Sequence, residues 1–187
     1  MFSIRNLSCL VLTLTLAACA SMDNSTKAEK QRAVLAMKDT ALTQLYAKKP
    51  DARGEISSAP GYAVFSNANV NLILLAAGTG HGVVKKKSTG EYTYMDMAEG
   101  GLGLGLGVKD YRVVMIFHTE ASMDNFVKNG WVFSGDVDAS AKSGEKGGSV
   151  EGEAHYGDVT VHTFTESGLA LQASVKGTKF WKNKELN

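Results

Sequence analysis

Four histidines hold most of the conventional catalytic and metal-binding capacity of this chain: His81, His118, His155 and His162. Zinc hydrolysis would want an HExxH helix, or a close His pair with a carboxylate at ligand spacing. The four are dispersed instead, and His118, at the end of an apolar run, is expected to be a packed residue. Asp136-Val137-Asp138 starts like a calcium loop but lacks the glycine and the closing glutamate that such a loop needs. No GxSxG elbow is present to expose a nucleophilic serine. Catalytic residues, metal ligands and cofactors are therefore expected to be none, and the chain is not read as an enzyme.

Glycine could still make a phosphate cradle. Gly101, Gly103, Gly105 and Gly107 alternate with Leu102, Leu104 and Leu106, and Gly78, Gly80 and Gly82 form a second stripe. A Walker loop needs GxxxxGK[ST], which is absent, and the dinucleotide fingerprint fails because Val108 and Val83 stand where its third glycine belongs. Leucine at every second position is too apolar for a solvated linker. Period two is the strand period. Glycine inside a strand marks a bend or the close approach of another backbone. Either the N-terminal helix packs on the bare face, or the sheet curls sharply.

The elements that would position any site follow from the pattern. Residues 1–18 read as an export signal: Arg5, an apolar run of about 12 residues, then small residues, too short to span a bilayer. Leu16-Ala17-Ala18-Cys19 resembles a bacterial lipobox, which implies cleavage before Cys19 and acylation of Cys19 with palmitate-type chains. Residues 19–25 are then a lipidated cysteine and a polar tether, reaching at most ~20 Å. Residues 26–187 make one domain. Asp is absent after Cys19, which by the same resemblance points to the outer membrane, periplasmic face. Loss of Arg5 leaves basic and acidic residues equal in number, which argues against nucleic acid as a partner. Cys9 leaves with the signal and Cys19 is blocked, so the processed chain has no thiol chemistry.

Thr26-x-x-Glu29 predicts a capping box, with a helix running to Lys49 and ended by Pro50. Its apolar positions, Ala33, Val34, Met37, Ala41 and Leu45, are expected to face the core, with a lipid-lying helix as the alternative. Strands are predicted at 61–65, 71–84, 91–97, 101–108, 111–118, 131–141, 152–156, 159–165 and 169–177, with a short helix at 120–128. Phe180 and Trp181 are expected to clamp the chain end onto the body. The fold class is α+β: a long N-terminal helix and a curved, mainly antiparallel sheet of about seven to nine strands, with a barrel as the open alternative, plus one short inserted helix.

Gly61-Tyr62-Ala63-Val64-Phe65, the alternating glycines ending in Gly107-Val108, Val113 to Phe117 with Thr119, Asp138-Ala139-Ser140, and Gly168-Leu169 followed by Ser174 to Thr178 resemble the SYLF domain, in that family's order. The resemblance runs from about Met37 to about Trp181. It implies a non-catalytic lipid-binding module, associated in eukaryotic members with phosphoinositide membranes and in some fungal members with actin. Bacterial members are often exported lipoproteins. Actin is not carried over as a partner, because an exported bacterial protein does not meet actin of its own cell.

The basic clusters supply candidate headgroup contacts. Lys85, Lys86 and Lys87 lie at a predicted hairpin tip, Lys27, Lys30 and Arg32 open the first helix beside the anchor, and Lys176, Lys179, Lys182 and Lys184 lie near the C-terminus. Each such charge near an anionic bilayer contributes about 1 kcal/mol before screening; edge protection of a sheet is the structural alternative. The first function reading is thus a periplasm-facing lipoprotein that binds anionic phospholipid membranes through Lys85, Lys86, Lys87, Lys27, Lys30 and Arg32. The second is an envelope adaptor that binds another protein and meets the membrane only through Cys19. A carrier of an apolar molecule is a weaker third.

Overall fold

The computed structural model describes residues 25–130, 132–133, 152–165 and 175–187, with the backbone alone for 69–76, 101–110 and a few strand-end positions. Helix α1 (Lys27–Lys48) starts with the expected capping box: the Thr26 hydroxyl accepts from the Glu29 amide, and the Thr26 amide donates to the Glu29 carboxylate at 2.7 Å. Helix α2 (Ala52–Ser58) follows, a short element the sequence reading did not foresee. Then come two strands of 26 residues each, β1 (Gly61–Lys86) and β2 (Tyr92–Phe117). They are followed by α3 (Glu120–Asn129), β3 (Val132–Phe133), β4 (Gly152–Tyr156), β5 (Val159–Thr165) and β6 (Val175–Lys182).

β1 and β2 form one antiparallel hairpin, from Gly61 opposite Phe117 to Lys85 opposite Tyr92. Straight strands of that length would reach about 85 Å, roughly twice the width of a domain this size. The hairpin must therefore fold. A register shift between Ile73 and Leu75 marks the place. Beyond it the second half of β1 lies against the first: a Cβ on Gly82 would overlap the Val64 carbonyl oxygen, one on Gly80 the Ser66 carbonyl oxygen, and one on Gly78 would sit 3.1 Å from the Ala68 carbonyl oxygen. What presses on the bare face is thus the strand's own backbone; the N-terminal helix does not. Gly105 and Gly107 pair with Ile73 and Asn71, so the other stripe lies across from the fold point.

Strand period two divides the apolar side chains into two layers. Phe65, Met95, Met97, Val113, Met115 and Phe117 point inside the curl, closed by Met123 and Phe126 of α3 and by Phe180 of β6. Val64, Val114 and Ile116 point outward under Ala41, Leu42 and Leu45 of α1 and Ala52 and Ile56 of α2. Val34 reaches the other half of the hairpin at Val83 and Tyr94. α1 therefore packs on the core, spanning both halves of the folded hairpin, as its apolar stripe predicts; Ala33 alone of that stripe is exposed.

β2 is the hub of the sheet. One edge carries β1; the other carries β6 along Met95–Leu102 and β5 along Tyr111–Phe117. β4 adds to β5 and β3 to β6, all antiparallel. The fold is α+β as expected. Among the described residues the sheet has six strands, and several predicted ones are continuous: 61–65 and 71–84 run on as β1, and 91–97, 101–108 and 111–118 as β2. The sheet is open among the described residues, so the barrel alternative is set aside. The predicted β4, β5 and α3 match closely. Of the strand expected at 131–141 only Val132–Phe133 falls within the described residues, and residues 136–149 lie outside them.

The self-contact of β1 yields a clear test. Gly82→Ala is expected to destabilise the domain by about 1–3 kcal/mol through overpacking against backbone. Gly100→Ala, where an added Cβ meets nothing within 4 Å, is expected to be neutral or slightly stabilising. Urea denaturation of the two variants checks the contrast; equal midpoints would contradict it.

Candidate functional site

The cations nominated from sequence divide into two groups once their partners are known. The Lys85 ammonium sits 4.0 Å from the centre of the Tyr92 ring, and on the same ring, at 5.2 Å, lies buried Lys38. Lys38 itself pairs with Asp39 at 2.8 Å and meets the Tyr92 hydroxyl at 3.3 Å. Burial works against the Lys38 charge, but these contacts outweigh it and hold its pKa above the usual value. Lys86 reaches Asp124 at 3.1 Å and Glu120 at 3.6 Å, tying the hairpin to α3 beside a cleft of about 220 Å3. Lys87 donates to the Ile56 carbonyl at 3.0 Å and to the Ser57 carbonyl, satisfying the free carbonyls at the end of α2. At the start of α1, Lys27 donates to the Asn187 carbonyl at 2.8 Å, Lys30 pairs with Glu185 at 2.6 Å, and Arg32 donates to the Ala28 carbonyl at 3.3 Å. All six nominated cations therefore have intrachain partners, and they do not form one cluster.

A different trio is available. Lys179, Lys182 and Lys184 are exposed and make no ion pair among the described residues. They flank Trp181 in sequence, and Trp181 is 39% exposed. Phe180 is buried against Phe65, its ring centre 4.8 Å away, so only half of the expected aromatic clamp forms. Alternation along β6 turns Trp181 outward when Phe180 turns inward. The sequence contained that signal, since neighbours in a strand cannot both face one core. The trio lies at the end of the domain where α1 begins: residues 185–187 hold Lys27, Lys30 and Gln31. Asn183 fixes this end to β2, donating to the Asp96 carboxylate at 2.9 and 3.0 Å, while its own carbonyl and the Tyr94 carbonyl both accept from Asn187.

The histidines are closer in space than in sequence. The Thr160 hydroxyl is 2.8 Å from His118 Nε2 and 3.1 Å from His155 Nδ1. This corrects the expectation of dispersed imidazoles, and the cause is antiparallel pairing: β5 sits between β2, which ends before His118, and β4, which carries His155. The hydroxyl is buried and shared by two rings, which makes it a hydrogen-bond node. No group of three His, Cys, Asp or Glu side chains is arranged to hold a metal among the described residues. His162, two residues beyond Thr160 and on the same face of β5, is buried beside α2 with its Nε2 3.7 Å from Glu55 and without a hydrogen-bond partner. A further buried polar group lies inside the curl. The Asn67 amide donates to the Glu99 carboxylate at 2.9 Å and to the Tyr111 hydroxyl at 2.6 Å, and Thr178 donates to Glu99 at 3.1 Å. Burial and the Glu99 charge hold the Tyr111 phenol protonated, well above its ordinary range.

Residues 98–187 match the family model described as Ysc84, Las17-binding protein actin regulator. Residues 98–187 thus fall within the Ysc84, or SYLF, family. The chain is also 36% identical over 166 residues to Beta cell expansion factor A of Aeromonas veronii, a match covering 88% of this chain and 62% of that relative. The chain thus spans less than two thirds of the relative's length, and the aligned stretch is long enough to extend well upstream of residue 98 into the hairpin. Neither description names an enzyme. No described helix is long and apolar enough to cross a membrane.

His162 makes the pH dependence of this SYLF domain predictable. Burial pushes its pKa down, the Lys49 charge and His155 add to that, and Glu55 opposes them. The unfolded chain therefore takes up this proton first. The stability contribution is complete above about pH 6.5 and is lost as pH falls toward the lower native pKa, with a slope of at most about 1.4 kcal/mol per pH unit. His162→Gln is expected to shrink the difference in thermal midpoint between about pH 7 and about pH 5.5. An unchanged difference would show that the proton is taken up elsewhere.

Proposed function

We propose that this SYLF domain is a non-catalytic module that binds the surface of anionic phospholipid membranes, tethered by an acylated Cys19 to the periplasmic face of the bacterial outer membrane. The observation that carries the reading is the exposed trio Lys179, Lys182 and Lys184, uncompensated by ion pairs among the described residues, at the end where α1 begins. A tether of six residues reaches at most ~20 Å, so this end would face the lipid. Three ammonium groups near an anionic bilayer contribute about 1 kcal/mol each before screening. Lys85, Lys86, Lys87, Lys27, Lys30 and Arg32 then have mainly structural work and add to the field around the trio. The family description supports a second reading, since it names a protein partner, Las17: an envelope adaptor that binds another protein, with membrane attachment through Cys19 only.

Sedimentation of residues 20–187 with phosphatidylglycerol-containing and neutral vesicles separates the two. Binding is expected to anionic vesicles and to weaken as salt rises. Replacing Lys179, Lys182 and Lys184 together by Gln is expected to weaken it by roughly tenfold to a hundredfold. Replacing Lys85, Lys86 and Lys87 is expected to cost less affinity. Failure to bind anionic vesicles at low salt would leave the adaptor reading.

A further inference from the structure

Trp181 is the one large apolar side chain exposed among the described residues, and its placement is enforced from behind. Phe180 packs at 4.8 Å from Phe65 and 5.4 Å from Phe126, which locks β6 in register and turns the next side chain out. Its cross-strand neighbour is Asp96, whose carboxylate is already occupied by Asn183. The indole therefore stands on a rigid platform, and exposing it brings no visible gain in packing.

The surroundings say what it suits. Lys179 shares its face two residues earlier in β6, and Lys182 and Lys184 follow, all exposed and without ion pairs among the described residues. A protein interface would bring a broader apolar patch around the aromatic, whereas Trp181 is the one large apolar side chain exposed among the described residues, with lysines on either side of it in sequence. An apolar ring with a single N–H donor, flanked by long-stemmed cations, is the composition of the bilayer–water interface. Position agrees. The chain from Trp181 to Glu185 extends at most ~14 Å, and Glu185 is paired to Lys30 in the first turns of α1. The indole thus lies on the end from which the proposed tether departs.

We propose that Trp181 enters the headgroup–acyl boundary of an anionic bilayer while Lys179, Lys182 and Lys184 meet lipid phosphates, so that the β6–α1 end faces the membrane. The inference rests on the membrane-surface reading and adds the inserted side chain and the orientation of the domain.

The test uses tryptophan emission of residues 20–187 carrying Trp131→Phe, which leaves Trp181 as the reporter. With phosphatidylglycerol-containing vesicles the emission is expected to shift to the blue and to be quenched by lipids brominated near the headgroup. Trp181→Ala is expected to lower vesicle affinity about tenfold with the salt dependence retained, since the lysines remain. If Trp131→Phe impairs folding, the difference between the unsubstituted protein and Trp181→Phe gives the same reading. Vesicle binding with unmoved Trp181 emission and unchanged Trp181→Ala affinity would overturn this inference and leave the membrane-surface reading standing. Absence of binding to anionic vesicles at low salt would overturn both.

Discussion

The structure depends on one steric constraint: the backbone of β1 passes against itself at Gly78, Gly80 and Gly82. Any side chain at Gly80 or Gly82 would meet a carbonyl oxygen of residues 64–68. Because the strand can double over, a hairpin of two 26-residue strands closes around its own apolar face. The inner layer and the α3 lid follow from that closure. So does the reach of α1, which contacts both halves of β1 because the fold brings them together under one helix. β2, bent along with β1, offers its free edge in two separate segments, and β6 and β5 take one each.

That arrangement also sorts the charges. The hairpin tip comes back to α2 and α3, so Lys86 and Lys87 are drawn into ion pairing and helix-end capping. β6 is held to the first half of β2 and delivers the C-terminal residues to the start of α1. Lys179, Lys182 and Lys184, around that junction in sequence, are left exposed to solvent. The domain presents Lys179, Lys182 and Lys184, without ion pairs among the described residues, close in sequence to its exposed indole, and keeps the polar groups Asn67–Glu99–Tyr111 and His162–Glu55 as internal fittings.

Local signals were legible in the sequence. The Thr26–Glu29 capping box, the α3 segment after Thr119 and the alternation of β5 are each written within a few adjacent residues. The strand identity of the glycine stretches was legible too, because period two excludes the phosphate loops. What was hidden depends on the path of the chain. Nothing near Gly78 says that its close neighbour is Ala68 and not a helix. His118, His155 and Thr160 meet only through the pairing of β2, β5 and β4. Runs of lysine at 85–87 advertise a surface patch, yet their partners, Asp124 and the carbonyls of Ile56 and Ser57, come from elements about 30 to 40 residues away. α2 was hidden because ARGEISS is short and contains a glycine.

The most direct test of the central claim, that the β6–α1 end is the membrane-facing surface, is amide hydrogen exchange of residues 20–187 with and without phosphatidylglycerol vesicles. The account predicts added protection in residues 179–187 and in the first turn of α1, with the hairpin tip at 86–91 unchanged. Protection confined to the hairpin tip, with the β6–α1 end unaffected, would contradict it.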